Sequence, residues 1–104
     1  MQNQVKISEN SYELKQLIRE NSKIFWYIKE NAKENLSLPV VVEFFLNYAD
    51  EKNTKRLFKI VGIDIVADIF FKDMSMERRK GNYLPLVAHY YNLYFKKHAH
   101  KNIK

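Results

Sequence analysis

The chain has 104 residues, a length that supports one domain with a core that needs no covalent staples. It has no cysteine, which excludes a disulfide framework and a thiolate metal site. The net charge of +6 is uneven: residues 1–50 hold six Lys/Arg and seven Asp/Glu, residues 51–104 hold twelve and five. A basic second half favours an acidic partner, whether nucleic acid, an anionic surface or an acidic protein.

The N-terminus, MQNQVKISEN, lacks the apolar centre of a signal segment. The longest apolar run, Leu38–Val42, is far short of the ~20 residues of a membrane span. A soluble, cytoplasmic protein with no membrane contact is expected. Residues 1–9 read as frayed. Asn10-Ser-Tyr-Glu13 has the spacing of a capping box with Asn10 as the cap. Leu14, Leu17, Ile18, Phe25 and Ile28 then follow near-helical spacing, with a break expected at Asn21-Ser22 and Ser22 capping a second piece. NAKENL, residues 31–36, reads as a loop.

Ser37-Leu-Pro39 is a helix start, and VVVEFFLNY after it is apolar nearly all round. That pattern predicts the central, most buried helix. Asp50 caps a helix over about 51–61. Leu57, Phe58 and Val61 form its inner side; Lys52, Lys55, Arg56 and Lys59 cover much of the rest. Gly62 suits a left-handed helix end, and Asp64 is the expected cap of the next helix, with Val66, Ile69 and Phe70 as its stripe and Asp68, Lys72 and Asp73 polar. Residues 75–82, SMERRKGN, read as a basic loop. A last helix is expected from about Tyr83 to Lys97, with Pro85 in its first turn and residues 98–104 as a disordered tail. The fold expected is an all-α single domain over residues 1–104. It is a compact bundle of about five helices with a helix-turn-helix-like corner at 51–74.

That corner, LFKIVGIDIVADIFF, raises the possibility of DNA reading. A helix-turn-helix offers the start of its second helix to base edges. Here that segment holds Asp64, Asp68 and large apolar side chains, with no Arg, Lys, Asn or Gln before Lys72. Phosphate repels carboxylates, so this helix reads as one to be buried.

Other chemistry is sparse. His98-Ala-His100 lies among Lys96, Lys97 and Lys101, which repel a divalent cation, so no metal site is assigned. His89 reads as a core-edge histidine. Nucleophile-elbow and phosphate-cradle signatures are missing, so no catalytic residue and no cofactor is assigned. Arg78, Arg79 and Lys80 sit on an adaptable loop suited to phosphates or carboxylates. Tyr83, Tyr90, Tyr91, Tyr94 and Phe95 read mainly as core, with one or two tyrosines left outside for an interface.

The order Phe25-Trp26, VVEFFLNYAD (41–50), LFKIVGIDIVADIFF and YYNLYF (90–95) resembles a group of small bacterial helical domains. Those carry FW, then "IIxRVLxYGD", then "LxxxYGxExI", then "FxxLYF", and their genes lie beside AbiEii-type nucleotidyltransferase toxins. Ala49 and Val61 stand where the group tends to have glycine and tyrosine. The resemblance implies a non-enzymatic protein-interaction domain, the antitoxin or partner of such a toxin. Arg78, Arg79 and Lys80, with Lys55, Arg56 and Lys59 as a second patch, are the residues expected to touch it. The alternative is a nucleic-acid-binding autoregulator.

Overall fold

The computed structural model describes residues 10–99. Among these residues there is no strand, and the all-α expectation holds. The helices are α1 (Tyr12–Glu20), α2 (Leu38–Tyr48), α3 (Glu51–Val61), α4 (Ile63–Met74), the four-residue α5 (Glu77–Lys80) and α6 (Pro85–His98). Two 3₁₀ segments, Ser22–Phe25 and Glu30–Asn35, lie between α1 and α2.

The cap of α1 is Ser11, not Asn10: its hydroxyl accepts from the Leu14 amide at 3.1 Å. Asn10 is engaged elsewhere, donating its side-chain amide to the carbonyls of Glu34 and Leu36. The expected break at Asn21-Ser22 is present. It leads into a 3₁₀ turn rather than a second α-helix, and the turn drops Phe25 into the core. Residues 31–36 are not a loop, because a 3₁₀ segment covers most of them. Lys33 holds that segment in place: its buried stem carries the ammonium to the Ser22 carbonyl at 2.9 Å and to Glu30 at 3.2 Å.

Ser37 stands at the cap position of α2 and Pro39 in its first turn. Val41, Val42, Phe44, Phe45 and Leu46 are all buried, so α2 is the central helix as its composition predicts. It packs against α3, α4, α6 and the first 3₁₀ turn. Phe25, Phe45, Phe70 and Phe95 are fully buried, each gaining about 2–3 kcal/mol from leaving water. Phe70 and Phe95 meet at 5.4 Å between ring centres, joining α4 to α6.

Asp50 caps α3 by accepting from the Asn53 amide at 2.9 Å. The next link is a single residue. Gly62 closes α3 by donating to the Phe58 carbonyl at 2.8 Å, and its own carbonyl accepts from Ile65 and Val66 to open α4. Its φ is +102°, which L side chains rarely adopt. Asp64 is therefore not the cap. The chain re-enters a helix at Ile63, and Asp64 sits in the first turn, where a carboxylate suits the helix dipole. Val66, Ala67 and Phe70 are buried, and so, unexpectedly, is Asp73.

SMERRKGN is likewise not a plain loop, since it contains α5. Helix α6 begins at Pro85 rather than Tyr83, because Tyr83 turns inward and its hydroxyl donates to Asp73 at 3.0 Å. His98 is the last residue of α6 and Ala99 is buried, so the expectation of disorder does not hold for these two residues. Residues 1–9 and 100–104 lie outside the described residues.

Gly62→Ala tests the corner. An added Cβ has space, its nearest neighbour being Ile65 Cδ1 at 4.0 Å, so the whole cost is backbone strain. Urea unfolding should show a loss of about 1–3 kcal/mol.

Candidate functional site

Lys52, Lys55, Arg56 and Lys59 recur at helical spacing, so α3 presents them as one stripe while Leu57 and Phe58 turn inward. The stripe borders a groove of about 440 Å³ whose other walls are Phe58, Ile63 and Tyr94. Gly62 allows α4 to begin at once, and so brings Ile63 to the groove. The edge of α6 supplies Tyr94, held by Phe58 at 5.8 Å and by Phe95 at 5.7 Å. A cationic rim over an apolar, aromatic floor is the result. On the other side of Arg56 and Lys59 lies a cleft of about 380 Å³ shared with Glu13, Gln16 and Ile60.

The four cations are not equivalent. Arg56 reaches Glu20 of α1 at 2.8 Å and Asn53 at 2.9 Å, and that guanidinium holds the Glu20 carboxyl below the ordinary range. Lys55 pairs with Glu51 one turn earlier, at 3.3 Å. Both pairs are exposed and weakened by solvent screening, so an incoming carboxylate can compete for them. Lys52 and Lys59 are exposed and make no ion pair among the described residues.

The Arg78-Arg79-Lys80 triplet divides. Arg78 and Lys80 are exposed on α5. Arg79 turns inward, with its Nη2 at 3.0 Å from Glu43 of α2 and its Nε at 3.3 Å from Asp73 of α4. The Nη2 contact is not aligned as a hydrogen bond, so it is Coulombic in character. Burial pushes the Glu43 carboxyl up, with Arg79 and Asn82 pulling the other way. Burial also disfavours the Arg79 charge, yet Asp73 and Glu43 outweigh it and the pKa rises. Tyr83 is raised by burial and by the Asp73 carboxylate beside it. Asn47, one turn beyond Glu43, accepts from the Leu84 amide at 3.1 Å and donates to the Asn82 carbonyl. Lys80 lines a separate cleft of about 500 Å³ with Glu77, Gly81, Tyr83, Pro85 and Ala88. The two predicted patches thus face different clefts.

Two features escaped the sequence reading. The inward Glu43–Arg79–Asp73 cluster joins residues 30 or more positions apart in the case of Glu43, with no local signal. The second is a surface cluster of Trp26, Tyr27 and Tyr48, all exposed and packed edge-on at 5.2–5.4 Å around Trp26. Lys52 was legible as part of the stripe, being one turn before Lys55. His89 is exposed rather than at the core edge, because it falls on the side of α6 away from Phe95. His98 packs on Tyr94 at 4.5 Å between ring centres; His100 lies outside the described residues. Among the described residues no group of three His, Cys, Asp or Glu side chains is placed to hold a metal ion. No helix there is long and apolar enough to cross a membrane.

Comparison of the chain with protein-family models, curated proteins and solved structures gives no match.

The divided triplet has a direct test. Arg79→Ala leaves two inward carboxylates without their cation and should cost about 3 kcal/mol in urea unfolding. Arg78→Ala and Lys80→Ala should each stay within about 0.5 kcal/mol of the parent.

Proposed function

We propose that this chain is a non-enzymatic protein-interaction domain whose α3 groove takes an acidic surface of a nucleotidyltransferase-type toxin, acting as its antitoxin by direct binding. The observation that supports this reading is the groove itself: Lys52, Lys55, Arg56 and Lys59 over Phe58, Ile63 and Tyr94. The kind of partner comes from the sequence resemblance alone.

The physical logic has two parts. Unpaired lysines at a rim raise the encounter rate with a negative surface and disfavour basic partners. The apolar floor supplies affinity by removing a partner's apolar side chain from water, at about 25 cal/mol per Å². Neither part requires a reaction, and no side chain here is given a catalytic role. Neutralisation would be steric, or would follow from a cation held over the enzyme's acidic metal-binding region. Arg78 and Lys80 are a second contact in this reading. Arg79 belongs to the fold, so its loss would weaken binding only through instability.

Nucleic acid is the second reading, because an aromatic floor beside cations also suits unpaired bases. A duplex read by α4 is not part of it, since Val66, Ala67 and Phe70 face the core.

Co-expression with the product of the adjacent gene, followed by pull-down and growth, tests the proposal. A stable complex and restored growth are expected; no complex and no relief would sink it. The Lys52→Glu/Lys59→Glu pair should weaken the complex by ~10-fold or more at physiological salt. Unchanged affinity would remove the groove from the account. If the same variant instead loses salt-labile binding to single-stranded DNA while the enzyme complex is absent, the nucleic-acid reading takes its place.

A further inference from the structure

The cations of α3 already hold one acidic helix, and it belongs to the chain itself. Helix α1 lies along one flank of α3. Its Glu20 meets Arg56 at 2.8 Å, and its Glu13 lines the cleft of Arg56, Lys59 and Ile60. The two glutamates are seven residues apart, which puts them nearly in line on one face of α1, about 10 Å apart along its axis. Leu17, between them in the sequence, is fully buried. An acid, an apolar anchor and a second acid two turns on is thus how a helix sits on this stripe.

The other flank of α3 repeats the pattern from the cationic side. Lys52 and Lys59 are also seven residues apart, so they stand nearly in line, and neither makes an ion pair among the described residues. Beside them runs the valley between α3 and α6. It passes from the groove at Lys59 and Ile63 to a recess at Glu51 and Tyr90, and the two share Lys55, Phe58 and Tyr94. Phe58 and Tyr94, 5.8 Å apart, are its floor. We infer that this valley seats an acidic amphipathic helix of the protein partner. That helix carries two carboxylates seven residues apart for Lys52 and Lys59, with a large apolar residue midway for the Phe58–Tyr94 floor. The segment so assigned rests on the protein-binding role of the groove and specifies what that role recognises.

Geometry selects a helix over other segments. Strand addition needs an open sheet edge, and the described residues contain no strand. An extended segment would also lay its backbone amides and carbonyls on an aromatic floor that gives them no partners. A helix satisfies those groups internally, and its carboxylates two turns apart repeat at the same rise as Lys52 and Lys59. Charge selects the contacts. Lys52 and Lys59 have no carboxylate to give up, whereas Lys55 and Arg56 would first have to leave Glu51 and Glu20. The two free lysines therefore set the spacing that the partner helix must match.

The test uses the full chain and a synthetic probe. The probe is an alanine-based helical peptide of roughly 18 residues, with two glutamates seven apart and a leucine midway. Fluorescence anisotropy at physiological salt should give a Kd of about 10–100 μM. Moving one glutamate so that the two are five apart turns it about 140° around the helix and should weaken binding ~10-fold or more. Lys52→Gln/Lys59→Gln, at exposed positions that leave the fold intact, should weaken it to the same degree. Proline beside the leucine breaks the peptide helix and should abolish binding. Equal binding of the two glutamate spacings would overturn the inference, as would full binding of the proline peptide or no binding at about 1 mM. A single-stranded oligonucleotide that binds at these lysines where the matched peptide does not would overturn it too, and give the valley to nucleic acid. A nucleotidyltransferase-type partner that binds through Lys52 and Lys59 but is not displaced by the matched peptide would remove the helix and keep the groove. Spacing-selective peptide binding with no such enzyme complex would keep the helix and remove the toxin partner.

Discussion

The Arg79 guanidinium, set between Glu43 of α2 and Asp73 of α4, is the interaction on which the second half of the fold depends. Helix α2 is buried on nearly every side, and Glu43 is buried with it. A lone carboxylate there would cost several kcal/mol. Arg79 offsets that cost, and to do so α5 must fold back so that Arg79 reaches Glu43 in the middle of α2 and Asp73 near the end of α4. Asp73 then accepts from the Tyr83 hydroxyl, and Asn47 takes the Leu84 amide. These contacts leave α6 one place to start, at Pro85.

The shape of the α3 groove is downstream of that placement. A fixed start and the Phe70–Phe95 contact set the rotation of α6. That rotation directs Tyr94 toward the α3 groove and turns Leu86, Tyr90 and Leu93 outward. The basic half of the sequence therefore serves two purposes. Arg79 neutralises carboxylates inside the fold, while Lys52 and Lys59 stay exposed on the surface, where the proposed acidic partner would meet them.

Much of this was legible in the sequence where the signal was apolar periodicity. The buried stripe of α2, the inward side of α3, the corner at Gly62 and the burial of α4 all follow from residue spacing. Caps were less secure: Asn10 and Ser11 are both good cap residues, and only the reach of Asn10 to Glu34 and Leu36 decides between them. The 3₁₀ segment at 30–35 was hidden because a lysine ammonium holds it rather than an apolar stripe. Arg79 looked like Arg78 and Lys80 because its partners are distant in sequence. Of the expected contact residues, Lys55, Arg56 and Lys59 share a groove, and the sequence spacing of α3 already placed them on one face.

The most direct test of the account is a lysine footprint. The chain would be labelled with an amine-reactive reagent, free and in complex with the proposed nucleotidyltransferase-type partner, and each site read by mass spectrometry. Protection concentrated at Lys52, Lys55 and Lys59, with Lys23 and Lys29 equally reactive in both states, is the result the account predicts. A stable complex that protects Lys23 and Lys29, beside Trp26 and Tyr27, and leaves the α3 lysines reactive would contradict it.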